Sequence, residues 1–171
     1  IMRRARRSPP MASLGDCDLS SRTTLQQLKE CPSIDEIILS TNDDEIIEFA
    51  ETQGIEKMTI HRRDDDLCSS TTSTDSLVQL ASEISNSEHI LWTHVTSPFF
   101  TSSDYIRFIE SYFKAIEEDF DSIFSVNLLQ TFIWRDDGPV NYNRDVEKWP
   151  RTQTLDSLYE INSGAFMLSL I

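Results

Sequence analysis

The stretch His89-Ile90-Leu91-Trp92-Thr93-His94-Val95-Thr96-Ser97-Pro98-Phe99 decides the fold class of this chain. An apolar run ends in a polar Thr-Ser-Pro corner, and Ser102-Ser103-Asp104 then opens the next helix. The run has the length of a buried strand, so backbone and hydroxyl donors collect at its carboxyl end. In open α/β sheets that rim is where ligands bind. A buried strand accounts for the apolar residues and makes no demand for His94, Thr96 and Ser97 at its tip.

The same rhythm extends to both sides. Upstream, Leu25 and Leu28 fit a short helix stopped by Cys31-Pro32, because proline disfavours helix in the residue before it. Glu36 to Ser40 reads as a strand, and Asn42 or Asp43 is placed to cap a helix carrying Ile46, Ile47, Phe49 and Ala50. Gly54 suits the end of that helix. Lys57 to Ile60 forms a second strand, and a helix with Leu77, Val78, Leu80, Ala81 and Ile84 follows a polar loop. Downstream, a helix from Ser103 to about Glu118 precedes a strand over Ser122 to Val126. Such alternation predicts βαβ units, a mostly parallel sheet and strand ends on one rim. Residues 127–160 break the rhythm and read as an antiparallel excursion with a hairpin at Asp137-Gly138.

Composition narrows the function. The chain has 171 residues, 39% hydrophobic and 26% charged, with a net charge of -14. That charge disfavours nucleic acid or an anionic membrane as partner. No apolar run approaches the roughly 20 residues of a membrane helix. Cys17, Cys31 and Cys68 have neither metal-knuckle nor disulfide-scaffold spacing, which fits a reducing cytoplasm. Residues 1–22 hold five arginines against two aspartates, a net +3 that leaves -17 for the rest. They read as an irregular basic arm, as sequence foreign to the domain over 23–171, or as a targeting signal. Ile1 at the start and the apolar run through Ile171 are expected of part of a longer protein.

Polar clusters follow the strands: Ser40 to Asp43, then Arg62-Arg63 with Ser69 to Thr74, then His94 to Pro98. A fourth, Glu160 to Gly164, precedes the last apolar run. Arginine with hydroxyls and helix-start N–H groups is what phosphate or carboxylate requires. Each cluster also has a plain structural reading. Arg62-Arg63 beside Asp64-Asp65-Asp66 is equally a surface ion cluster, Ser69 to Thr74 a capping loop, and His94 a hydrogen-bonded structural histidine. No His/Cys/Asp/Glu spacing suits a metal, and with four glycines there is no glycine-rich dinucleotide or P-loop motif.

In order along the chain, these clusters resemble the acylneuraminate (CMP-sialic acid) cytidylyltransferases. Ile37 to Ile46 is similar to the family's IIVSTDDEEI, and Arg63 to Cys68 with the Ser/Thr run resembles its RPxxLAxDxxSS loop. His94 to Phe99 resembles QPTSPL, and Glu160 to Phe166 resembles xxNGAFYI. The resemblance spans about residues 25–171 and implies a three-layer, Rossmann-like nucleotide-diphospho-sugar transferase fold. The implied reaction joins CTP to a nine-carbon 2-keto acid sugar, with Mg2+ as cofactor. It implies nucleotide binding by Arg63, Thr74 and Arg62, and sugar binding by His94, Thr96, Ser97 and Asn162. Residues 127–160 would be a homodimerisation arm anchored by Trp134 and Trp149. No catalytic residue is identified. The family's glycine-rich triphosphate loop does not occur in residues 1–22, and its metal aspartates follow the Asn-Gly motif, past Ile171. Two alternatives stay open: a 3-deoxy-octulosonate-type transferase, and a non-catalytic nucleotide-binding or assembly module.

Overall fold

The computed structural model describes residues 14–95, 97 and 99–170. Helix α1 (Leu14–Lys29) comes first, followed by β1 (Ile37–Thr41), α2 (Asp44–Thr52) and β2 (Met58–Arg62). Then come α3 (Thr74–Ile84), β3 (His89–Trp92), α4 (Ser102–Glu117) and β4 (Ser122–Leu129). Two short strands, β5 (Trp134–Arg135) and β6 (Gly138–Pro139), precede the long β7 (Leu158–Ser169).

Helix α1 begins at Leu14, inside the stretch expected to be irregular through residue 22. Its inward stripe is Ser21, Thr24, Leu25 and Leu28, all buried. This is helical spacing, but half of it is written in hydroxyl residues, so an apolar count finds the helix only at Leu25 and Leu28. The Lys57 ammonium donates to the carbonyls of Cys31 and Ile34, both at 2.8 Å, and pins the link from α1 to β1.

The first βαβ unit is regular. β1 and β2 pair in parallel, Ile37 opposite Met58 through Thr41 opposite Arg62. Asp43 caps α2 through its carboxylate, which accepts from the N–H groups of Glu45 and Ile46. Gly54 follows the helix at φ +56°, the left-handed conformation that a residue with a Cβ resists.

The second half corrects the expectation of a mostly parallel sheet. β7 lies between β3 and β4 and is antiparallel to both. β3 and β4 are therefore parallel to each other, joined through α4, with β7 inserted between them. The cause is connectivity. β4 and β7 are the two sides of one long hairpin, closed by Leu129 opposite Leu158, and no helical crossover intervenes to reverse the chain. Among the described strands only β1 and β2 pair in parallel.

The tip of that hairpin holds a smaller one. Trp134 pairs with Pro139 and Arg135 with Gly138, so the turn is Asp136-Asp137, one residue earlier than expected, and Gly138 sits at φ +147°. Asn141, 2% exposed, fastens the base of this arm. Its amide donates to the Thr131 and Asp156 carbonyls and accepts from Ile133 N–H, which satisfies a buried polar group fully.

One hydrophobic cluster joins both halves: Leu25 and Leu28 from α1, Ile37 from β1, Tyr105, Ile109 and Tyr112 from α4, and Ala165 and Met167 from β7. The result is a mixed α/β fold. No helix among the described residues is long and apolar enough to cross a membrane.

Candidate functional site

The expected site residues gather in two groups, one at the ends of β1 and β2, the other where β3 meets β7. In the first, Ser40 stands opposite His61 in the parallel register, and its hydroxyl lies 3.1 Å from His61 Nδ1. Arg63 leaves β2 and turns back over β1. Its Nε donates to Ser40 Oγ at 3.2 Å, its Nη2 donates to the Ser40 carbonyl, and its backbone N–H donates to Thr41 O. The half-buried guanidinium is thus fixed to the strand end, while Nη1 has no protein partner among the described residues. A rigid cation with one free edge is a ready anion contact.

Arg62 is different. It is exposed and pairs with Asp44 at the start of α2, and that partner holds the Asp44 carboxyl below its ordinary range. Asn42 donates to Asp65 at 3.0 Å, so the cluster after β1 and the loop after β2 form one polar surface. Thr74 is the exposed first residue of α3, behind the capping hydroxyl of Ser73. Ser69 Oγ meets Thr71 Oγ1 and Thr72 Oγ1 in the loop ahead of it.

The second group is built around a bulge. Phe124 faces Phe166 and Val126 faces Ile161, so Ser125 stands against four residues of β7, Asn162 to Ala165. Bulges of this kind re-aim side chains next to functional sites. Ser125 Oγ accepts from Ala165 N–H at 2.8 Å and donates to Asn162 Oδ1 at 2.6 Å. Asn162 Oδ1 also accepts from Gly164 N–H at 2.9 Å, and its Nδ2 donates to Asn127 Oδ1 at 3.1 Å. Asn162 therefore lies in the middle of an antiparallel strand rather than at the carboxyl end of a parallel one.

This bulge is tied to the corner after β3. Thr93 Oγ1 donates to the Gly164 carbonyl at 2.7 Å, so the Tyr105 hydroxyl, 2.8 Å from Thr93 Oγ1, is left to donate to it. Burial pushes the Tyr105 phenol above its ordinary pKa, opposed by the Thr93 bond, which keeps it a neutral donor. A Cβ on Gly164 would lie 2.9 Å from Asn162 Oδ1, 2.9 Å from Ser125 Oγ and 3.0 Å from the Phe100 ring, so the close approach requires glycine.

Of the corner residues, His94 is exposed and accepts from Trp92 Nε1 through Nε2 at 3.2 Å. Indole nitrogen only donates, so a neutral His94 carries its proton on Nδ1 and offers a donor. Ser97 N–H donates to the His94 carbonyl at 3.2 Å and Phe100 N–H to that of Ser97 at 3.1 Å, which curls the corner. Thr96 lies outside the described residues. Helix α4 starts from this corner with a capping box. Thr101 Oγ1 accepts from Asp104 N–H, and the Asp104 carboxylate accepts from Thr101.

Ser125, Asn127, Thr93 and Tyr105 were absent from the sequence-based candidates. The one signal for them was Gly164, an isolated glycine beside an apolar strand, which marks a bulge or a close backbone approach. Two open concavities lie away from both groups: one by Lys114, Glu118 and Phe120, the other in the arm by Trp134, Tyr142 and Arg144. In the arm, the Arg144 guanidinium lies over both Trp134 and Trp149, at 5.3 and 5.6 Å from the ring centroids. Among the described residues no three His, Cys, Asp or Glu side chains converge as a metal site.

The chain has a mixed α/β core with polar clusters at strand ends, and comparison supplies its family. The chain belongs to the cytidylyltransferase family, whose model matches residues 10–149. Among solved structures it is similar in fold to a 4-diphosphocytidyl-2C-methyl-D-erythritol synthase from Anaerococcus prevotii, with a TM-score of 0.59 and 17% identity. That match covers 88% of this chain, and the chain spans 59% of the length of that structure. No curated protein matches the chain in sequence.

Proposed function

We propose that this protein is a CTP-dependent transferase that cytidylylates a sialic-acid-like, nine-carbon 2-keto acid sugar. The carrying observation is the cytidylyltransferase family match across residues 10–149. In the proposed reaction the anomeric hydroxyl oxygen of the sugar forms a bond to the α-phosphorus of CTP. The α–β phosphoanhydride bond breaks, pyrophosphate leaves and the hydroxyl proton passes to solvent. Transfer of this kind depends on positioning and charge neutralisation more than on a strong nucleophile.

Arg63 is proposed as the fixed nucleotide cation, with Arg62 and Thr74 as further nucleotide contacts. His94, Ser97, Thr96 and Asn162 are assigned to the sugar. The donor on His94 and the amide of Asn162 suit carboxylate and hydroxyl oxygens. The arm is proposed to pair two copies of the chain, because Trp134 and Trp149 are 44% and 67% exposed despite their size. Light scattering on the wild type and on Trp149→Ala tests this; a wild-type monomer rejects it.

The deciding experiment is pyrophosphate release from CTP with a panel of keto acid sugars. Release with N-acetylneuraminate supports the proposal, and release only with 3-deoxy-octulosonate moves the substrate to that shorter sugar. No release with any acceptor, alongside retained CTP binding, favours a non-catalytic nucleotide-binding module. Arg63→Ala is expected to weaken CTP binding by about 1–3 kcal/mol in calorimetric titration. Unchanged affinity removes Arg63 from the site.

A further inference from the structure

The polar chain running through the β7 bulge has a fixed direction. At one end Ala165 N–H donates to Ser125 Oγ, which leaves the Ser125 hydroxyl proton for Asn162. Gly164 N–H points at the same Asn162 atom. Two donors converging on one atom of an amide require that atom to be the oxygen. At the other end the Glu160 carboxylate accepts from Asn127 Nδ2 at 3.1 Å, so Asn127 turns its own oxygen toward Asn162 Nδ2. Both ends impose the same orientation. One Nδ2 hydrogen of Asn162 goes to Asn127; the other has no protein partner among the described residues, and the side chain is only half-buried.

The place matters as well. Asn162 Oδ1, Ser125 Oγ and the Phe100 ring meet over the Cα of Gly164, and Thr93 bonds the Gly164 carbonyl. The amide therefore stands beside the corner that carries His94 and Ser97. We propose that Ser125 is a positioning residue that locks the Asn162 amide, so that Asn162 presents an N–H donor to an acceptor oxygen of the sugar acid. This rests on the cytidylyltransferase reading given above. It adds a residue that never touches substrate and a polarity for the contact. A carboxylate, carbonyl or hydroxyl oxygen is accepted at this point, and a group that can only donate is refused.

Removing the Ser125 hydroxyl lets the amide turn over. It also leaves Ala165 N–H without its acceptor. Ser125→Thr keeps the hydroxyl on a residue well suited to a strand.

The test has two readings on the intact protein. In nitrogen-15 NMR without substrate, Ser125→Ala is expected to shift the Asn162 side-chain amide pair and speed its hydrogen exchange, while Ser125→Thr keeps the wild-type pattern. In pyrophosphate-release kinetics, Ser125→Ala is expected to raise the KM for N-acetylneuraminate about tenfold, with the KM for CTP unchanged and Ser125→Thr restored. An unmoved amide pair in Ser125→Ala overturns the proposal, and so does a parallel rise in both KM values. A wild type that releases no pyrophosphate with any acceptor overturns the transferase reading instead; the substrate-free NMR measurement then still decides the locked amide.

Discussion

The β1–α2–β2 unit and the β3–β7–β4 ladder sit on one core and are built by opposite means. In the first, neighbours in space are neighbours in sequence: a capped helix joins two parallel strands in unbroken register. In the second, the central strand arrives last, after the long arm, and its contact with the corner after β3 spans 71 residues. The regular half holds a cation in place by short-range bonds, Arg63 onto Ser40. The irregular half holds an amide in place by a bulge that four residues of β7 make against Ser125. The proposed site thus draws rigidity from local order on one side and from distant cross-links on the other.

If the cross-links carry the irregular half, their removal must cost more than equivalent changes in the regular one. The largest effect is expected at Tyr105, fully buried in α4 and bonded to Thr93. Tyr105→Ala is expected to lose about 3–5 kcal/mol of stability, as for other large aromatic truncations in cores. Tyr105→Phe keeps the packing and is expected to lose about 1 kcal/mol for the hydroxyl alone. Urea unfolding distinguishes them, and unchanged stability in Tyr105→Phe would mean that the bond to Thr93 organises nothing.

Next come two glycines, one from each half. Gly164→Ala is expected to cost about 1–3 kcal/mol, because the new methyl meets Asn162, Ser125 and Phe100 at once. Gly54→Ala meets nothing within 4 Å; its cost, about 1 kcal/mol, comes from the positive φ alone. The two should also differ in kind. Gly164→Ala is expected to disturb the Asn162 side-chain amide in NMR, whereas Gly54→Ala should leave it unmoved.

That contrast explains what could be read from the chain. The strands at Ile37 and Met58, the Asp43 cap, Gly54 and the α4 start all follow from signals within a few residues, and the structure has them within about a turn of the expected places. The clusters at Ser40, Arg63 and His94 were legible for the same reason. β7 was not. Glu160 to Gly164 looks like a polar loop, because its strand character comes from pairing with β4, and the bulge inside it needs Ser125 as partner. Local pattern cannot carry a partner that far away. The upstream part of α1 was missed for a different reason, since two of its inward positions, Ser21 and Thr24, carry hydroxyls rather than apolar side chains. A mostly parallel sheet was the natural extrapolation of a regular first half to an irregular second half.

In the regular half, Asp43→Ala removes the cap of α2 and is expected to cost about 1 kcal/mol. Its reach should end there. β1 and β2 are held by their own ladder, and the Arg63 bonds to Ser40 do not pass through the cap. Unchanged CTP affinity in Asp43→Ala is therefore expected, measured by the same titration as Arg63→Ala.

The smallest effect tests the junction between the halves. Asp104 closes the capping box of α4, the helix that leaves the β3 corner. Its carboxyl lies below its ordinary range because the Thr101 hydroxyl and N–H donate to it, with Arg107 adding a further donor. A carboxyl whose pKa is lower in the folded state stabilises the fold above its unfolded value, near about 3.9. That contribution is lost as pH falls through the lower, folded value. Because the group is solvent-accessible, the effect is screened to about 1 kcal/mol or less. Asp104→Asn keeps an oxygen for the cap and loses the charge. Its melting temperature should fall less steeply than that of the wild type between about pH 5 and pH 2. Parallel slopes would show that acid unfolding is governed by other carboxylates of this acidic chain, and that the corner draws its order from Thr93, Tyr105 and Gly164 rather than from the capping box that opens α4.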